Sequence, residues 1–303
     1  MVYVHKDDVL GWWYGNLAMG CRLCMMGAKV VIFISGICGI DCFYCPISIE
    51  RRRADAFFVD EERFHNISDI LDEIAVIRAR GASITGGEPF QRYDLVVSII
   101  RSLKNYLGSS FHIHLYTSGF GATRSSIKYL DKLGLDELRF HIINDSVWKL
   151  VEFSVRETSM DIGIEIPVLL DKDKIMKIIE QAEKIGVKFV NLNELEVTES
   201  SIDKLRLRGY RISKDSRFVE GSAEIAKKVI EEVYIRGLSI SVHFCPVTYK
   251  DAIQHKRRLL RKAFICANPN DRVTDDGLLV RGDIEFIPVF GICAKVIKAK
   301  GSK

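Results

Sequence analysis

The sequence lacks any apolar run long enough to cross a bilayer. Its longest, Val30 to Ile37, is well short of the roughly 20 residues that a spanning helix needs. An apolar signal core is missing too, because Met1 to Leu10 puts charged and polar residues where one would lie. The expectation is a cytoplasmic chain with no membrane partner, whose cysteines stay reduced. A strong excess of either charge is also absent. Against 40 Asp and Glu, 44 Lys and Arg leave a formal net charge of +4, which permits an anionic partner without demanding one. No internal repeat, low-complexity tract or recognised RNA-binding module is evident.

What is present is a core. Of 303 residues, 48% are hydrophobic and 28% charged, enough for one large, well-solvated domain. The middle of the chain repeats a helix, a glycine and a short β-rich run. Helices over Ser68–Arg80, Asp94–Leu107, Ser125–Leu133, Asp173–Ile185 and Ser222–Arg236 each stop at a glycine. The runs Ala82–Thr85, Phe111–Tyr116, Glu137–His141, Val187–Asn193 and Leu238–Phe244 follow them. Glycine suits the left-handed residue that ends many helices. Ala226, Val229, Ile230 and Val233 illustrate the apolar helical face. With Val30–Ser35 and Asp161–Pro167, seven strands alternate with helices, which means a parallel sheet with right-handed crossovers. The natural closure is a partial or open (β/α) barrel, and a doubly wound sheet is the alternative. Residues 1–28 and 246–303 read as small N- and C-terminal additions to a barrel over 29–245.

Directly after the first strand stand Cys38, Cys42 and Cys45. Three thiolates so close in sequence can hold three irons of a cubane cluster and leave the fourth open, which is what catalysis needs. An electron carrier normally binds all four irons with cysteine, and zinc commonly takes four ligands from two separated pairs. The second strand ends in Thr85-Gly86-Gly87-Glu88-Pro89. The C-x3-C-x2-C spacing, with Tyr44 just before the third cysteine, and the Gly-Gly-Glu run resemble the two signatures of the radical S-adenosylmethionine (SAM) superfamily. The likeness covers about residues 29 to 200 and is closest to an archaeal branch related to pyruvate formate-lyase activating enzymes.

That resemblance implies a [4Fe–4S] cluster on Cys38, Cys42 and Cys45 that reductively cleaves S-adenosylmethionine. It implies cofactor contacts at Tyr44, Gly86, Gly87 and Glu88, with the motif's backbone and carboxylate receiving the methionine ammonium. A hydrogen atom would then be taken from a metabolite or protein substrate, with electrons from a reductant such as ferredoxin or flavodoxin. The family's glycine-rich adenine motif is not recognisable in Asp161–Pro167, so adenine and ribose contacts stay unassigned. A tRNA- or RNA-modifying enzyme is one alternative, and an iron–sulfur electron carrier or RNA-binding protein is the non-enzymatic one.

Polar residues interrupt strands that should be apolar. His112 with His114, Arg139 with His141, Glu165, Asn191 with Asn193, and Ser241 with His243 each keep one phase of period two. In a barrel that phase faces the lumen. His141, Glu165, Asn193 and His243 fall near the C-terminal strand ends, where barrel catalysts sit, and are the candidate catalytic residues.

Cys21 and Cys24 form half of a metal motif that His243 and Cys245 could complete as a zinc or auxiliary iron–sulfur site. Against that pairing, Cys24 should lie near the barrel bottom and Cys245 near its top. Cys266 and Cys293 are other partners, and buried thiols with no metal are the plain alternative. Basic residues gather at Arg51 to Arg53, on a helix from His255 to Lys262, and from Lys295 to Lys303. On that helix Ile253, Leu260, Ala263 and Phe264 are expected to face the core and the cations the solvent. A solvated surface is preferred to an RNA face.

Overall fold

The computed structural model describes residues 3–215, 217–281 and 284–287. Cys293 and the basic stretch from Lys295 lie outside them. Strands β1 (Val4–Asp7) and β2 (Gly11–Tyr14) precede helix α1 (Met19–Met25) and β3 (Lys29–Phe33). A small hairpin, β4 (Phe58–Val59) and β5 (Glu62–Arg63), follows. Strands and helices then alternate: α2 (Ile67–Val76), β6 (Gly81–Thr85), α3 (Tyr93–Leu107), β7 (His112–Thr117), α4 (Arg124–Lys132), β8 (Glu137–Phe140), α5 (Trp148–Glu157) and β9 (Asp161–Pro167). The alternation ends with α6 (Lys172–Ile185), β10 (Phe189–Asn193), α7 (Ile202–Arg206), α8 (Ser222–Ile235) and β11 (Ser241–Cys245).

The sheet order is β1-β2-β11-β10-β9-β8-β7-β6-β3-β4-β5. Strands β3 and β6 to β11 are parallel throughout. The two outer members of this set, β3 and β11, do not pair with each other; each carries an antiparallel hairpin instead. The barrel is therefore open, as the alternation of elements implied. Residues 3–28 are more than an appendage, because β2 extends the main sheet against β11. α1 packs across β3, β6 and β7, with Leu23 against Gly81 at the start of β6. It thus closes the end of the lumen opposite the strand C-termini.

Alternation along the strands sets inside and outside. Val30, Ile32, Ile84, Ile113, Leu115, Leu138, Ile164, Val190 and Val242 belong to one buried apolar cluster that also takes in the helix residues Ile70, Ile100, Ile127, Ile179 and Ile230. The opposite phase carries the polar residues. Local chemistry fixes the helix starts: Asn66 and Thr123 form capping boxes, and Asp171 caps α6. α2 stops at Val76 rather than Arg80, and the chain turns at Arg78, which has a φ of 49°. α5 was not foreseen because no glycine marks its end: it stops at Glu157, and the chain turns extended at Thr158.

The C-terminal helix Lys256–Cys266 follows a π-helical segment, Lys250–His255. Its buried residues are Arg258, Lys262, Ala263 and Cys266, while Phe264 is exposed. The expected facing is therefore corrected for Arg258, Lys262 and Phe264: two cations point inward because acidic partners wait beneath them. Arg258 pairs with Asp60 and Glu61, and Lys262 with Glu73 at 2.8 Å. Arg261 donates to the carbonyls of Ile77 and Arg78, and Arg257 to that of Met25. Arg51 stacks on Phe58, and Arg52 pairs with Asp41. These cations hold the fold together. No helix among the described residues is long and apolar enough to cross a membrane.

Candidate active site

The loop after β3 carries Cys38, Cys42 and Cys45. All three thiols are free and partly buried, and close enough to feel one another's charge. The loop after β6 pins this segment through backbone bonds from Gly87 to Ser35 at 2.7 Å and from Glu88 to Ile37 at 3.0 Å. A Cβ on Gly87 would stand 2.3 Å from the Ile37 carbonyl oxygen and 2.8 Å from the Cys38 Cβ. Only glycine lets the two loops lie this close. The donor set, three mutually facing thiols with no fourth cysteine in the loop, fits a [4Fe–4S] cluster with one open iron. Among the described residues no three His, Cys, Asp or Glu side chains converge on a single ion. A cubane spreads its thiolates over different irons and does not need such convergence.

Glu88 is buried, 1% exposed, and each of its carboxylate oxygens is engaged. Oε1 accepts from Thr117 Oγ1 at 2.8 Å and Phe90 N at 3.1 Å, and Oε2 from Ser118 N at 2.8 Å and from the Ser118 hydroxyl. The carboxylate thus joins the end of β6 to the end of β7. Gly86, Gly87, Thr117 and Ser118 line the adjoining cavity.

That cavity, of about 510 Å³, runs from the cysteine loop into the lumen. Arg139, His141, Glu165, Asn191, Asn193 and His243 all line it; His112, His114 and Ser241 do not. Tyr44 ties loop to lumen, its hydroxyl 2.9 Å from His141 Nε2. His141 Nδ1 lies 3.1 Å from the Glu165 backbone carbonyl. A carbonyl can only accept, so Nδ1 carries the proton and Nε2 accepts from Tyr44. Burial lowers the His141 pKa, against the opposing pull of Glu165, which favours this neutral ring. Glu165 Oε2 accepts from Arg139 at 2.7 Å and Asn191 at 3.1 Å, and Oε1 accepts from Asn193 at 2.9 Å. Burial raises the Glu165 pKa, but Arg139 and the two amides more than offset it. Arg139 also pairs with Glu137, which burial would raise but Arg139 and His112 hold at about 2.

His141, Glu165 and Asn193 are therefore held in a network. Among the four candidate catalytic residues, His243 alone has both polar side-chain atoms buried with no nitrogen or oxygen partner among the described residues, and its neighbour is the Cys21 thiol. Cys21 and Cys24 also line the cavity, as does Cys245, so the expected top-to-bottom separation does not keep them apart. Cys21 Sγ lies 3.2 Å from Asn191 Nδ2 and 3.5 Å from Arg139 Nη2. Burial pushes its thiol up, but Arg139 and His243 bring it to about 7. Sequence reasoning did not single out Lys29, Tyr249 or Lys250, which line the same cavity. Lys29 had a signal, a cation opening an otherwise apolar strand. Tyr249 and Lys250 had none, since they sit where the short helix Val247–Tyr249 runs into the π-helical segment, which has no simple period.

The match to known proteins agrees with this geometry. The model of the Radical SAM superfamily matches residues 32–147. A curated protein of Methanocaldococcus jannaschii, named "Putative glycyl-radical enzyme activating enzyme MJ0021", is 34% identical over 285 residues, 90% of this chain and 75% of that protein. Among solved structures, the radical S-adenosylmethionine methyltransferase TsrM from Kitasatospora setae, with tryptophan and a SAM analog bound, aligns with a TM-score of 0.42 and 12% identity. That alignment takes in 84% of this chain but 56% of the other, so the chain spans about half the length of that structure.

Proposed function

This chain belongs to the radical SAM superfamily, and from that premise we propose that Cys38, Cys42 and Cys45 hold its cluster and that its substrate is enclosed in the lumen. It is an enzyme that reductively cleaves S-adenosylmethionine at a [4Fe–4S] cluster and abstracts hydrogen from a substrate. When bound, these groups supply a 5′-deoxyadenosyl radical as the abstracting agent; the protein positions and shields. The observation that carries the proposal is continuity. One cavity of about 510 Å³ joins the three thiols to the polar lumen, a volume in the range of small-molecule sites.

In this reading Gly86 and Gly87 let the backbone approach the cofactor, with Thr117 and Ser118 beside them. Glu88 lies behind the cavity wall rather than in its lining and acts as a positioning residue that anchors both loop ends; a direct contact with the methionine ammonium would require its Thr117 or Ser118 bonds to yield. Tyr44 and His141 couple the cluster loop to the lumen, and Glu165, Asn191, Asn193 and His243 face the substrate. A second metal at Cys21 and Cys24 is the weaker reading, since the Arg139 guanidinium stands 3.5 Å from Cys21 Sγ and repels a cation. The electron comes from a small reductant such as ferredoxin or flavodoxin. A reducing cytoplasm suits the six free thiols, whereas Cys266 is disulfide-bonded.

A second reading takes a protein glycine as the hydrogen source, favoured by the name of the Methanocaldococcus jannaschii relative. One experiment separates the two. Anaerobically reconstituted, reduced protein is given S-adenosylmethionine with either a small-molecule extract or the macromolecular fraction of the same cells. Stimulation of 5′-deoxyadenosine release by small molecules supports the enclosed substrate. Stimulation only by macromolecules, with a persistent glycyl radical signal, supports the activating role. Stimulation by neither contradicts both.

A further inference from the structure

The lumen floor holds polar groups that hydrogen abstraction does not use. Lys29 opens β3 and lines the cavity. It is 6% exposed, yet its ammonium has no hydrogen-bond or ion-pair partner among the described residues. An ammonium carries three donors and no acceptor, so at the cavity wall it stands open to an acceptor brought by an occupant. His243, on β11, has both ring nitrogens buried with no nitrogen or oxygen partner among the described residues, and so has the hydroxyl of Tyr249, at the end of the short helix that follows; beside them stand only the thiols of Cys21 and Cys24, which are weak acceptors. All three residues line the same cavity.

The nearby carboxylates are already committed. Glu137 is held by Arg139 and His112, and Glu165 by Arg139, Asn191 and Asn193. A metal cation is a poor occupant, because the Lys29 ammonium repels it and, among the described residues, no three suitable ligands converge. The unmet need is for acceptor oxygens and a negative charge. A carboxylate or a phosphate supplies both, and can accept hydrogen bonds from Lys29, from Tyr249 and from one nitrogen of His243.

We propose that Lys29, His243 and Tyr249 form an anion-binding floor that receives a carboxylate or phosphate of the substrate. The inference rests on the reading of the lumen as the substrate chamber. It narrows the substrate to a small anion held by its charged end. Lys29 and the cysteine loop lie at opposite ends of β3, roughly 13 Å apart along the strand. The reactive carbon of the substrate therefore faces the cysteines while its anionic group stays on the floor.

The test is binding without turnover, so its failure is separable from failure of the radical chemistry, which 5′-deoxyadenosine release judges. Thermal unfolding of the reconstituted protein is followed in sodium phosphate and in sodium malonate, with sodium chloride at equal ionic strength as reference. One or both probes should raise the Tm above chloride, and the preferred probe distinguishes phosphate from carboxylate. In Lys29→Met the apparent affinity should fall at least about tenfold, and Lys29→Arg should retain most of it. Lys29→Met removes an unpartnered charge in favour of a chain of similar length, so it should fold. No stabilisation beyond chloride, or equal stabilisation in Lys29→Met, overturns the proposal. So does a metal that persists after Cys38, Cys42 and Cys45 are replaced but is lost in Cys21→Ala.

Discussion

Arg139→Met should be the most damaging single change in the lumen that leaves the cysteine loop intact. One guanidinium, 2% exposed, serves Glu137 and Glu165. Removing one partner of a buried ion pair typically costs about 3–5 kcal/mol, a large part of a total stability of about 5–15 kcal/mol. An independent figure comes from Glu137, held at about 2 against an ordinary 4.5. That difference corresponds to something on the order of 3 kcal/mol. The sign follows from the depressed value. In the wild type this contribution is complete above about pH 4.5 and is lost as pH falls toward 2. In the variant burial is opposed only by His112 at Glu137 and by Asn191 and Asn193 at Glu165, so the folded pKa values of both carboxylates rise and protonation relieves them. The stability gap should therefore be widest at pH 7 and narrow toward pH 5. Urea denaturation of both proteins at the two pH values measures it, with Arg139→Lys as a charge-retaining control. A loss under about 1 kcal/mol at pH 7, or a gap that does not change with pH, would refute the reasoning.

Other changes test other parts. Glu88→Gln should reduce stability by roughly 1.5–3 kcal/mol, because a charged acceptor of four donors is lost, and should weaken S-adenosylmethionine binding in equilibrium dialysis; unchanged values in both would remove its role. Gly87→Ala puts a Cβ 2.3 Å from the Ile37 carbonyl oxygen, so anaerobically purified variant should bind less iron while its far-UV circular dichroism stays native. Lys262→Met leaves Glu73 buried without its partner and should cost about 3–5 kcal/mol in urea unfolding. The same cation should make no measurable difference to tRNA binding, whose slope with salt would otherwise flatten.

The sequence made the fold legible because helix, glycine and strand recur with clear periods, and each period reports a burial pattern. Its polar lumen was legible for the same reason: Arg139, His141, Glu165, Asn191, Asn193 and His243 break an apolar pattern in one phase, and all six line the cavity. What periodicity cannot show is which polar atoms are already satisfied. Glu88 and His141 look like open functional groups in sequence, yet in the structure each is fully hydrogen-bonded, while Lys29 is not. The C-terminal helix was misread in facing because its inward cations depend on Asp60, Glu61 and Glu73, far away in the chain. The β1–β2 hairpin joins the sheet through a pairing with β11 that spans most of the sequence, and local pattern carries no sign of it.

The central claim is that Cys38, Cys42 and Cys45 support reductive cleavage of S-adenosylmethionine. The most direct measurement is 5′-deoxyadenosine formed by anaerobically reconstituted, dithionite-reduced protein, wild type against the variant with all three cysteines changed to alanine. The account predicts product from the wild type, about four irons bound at this site, and neither in the variant. Product from the variant, or a wild type that carries the full iron complement and yet forms none, would contradict it.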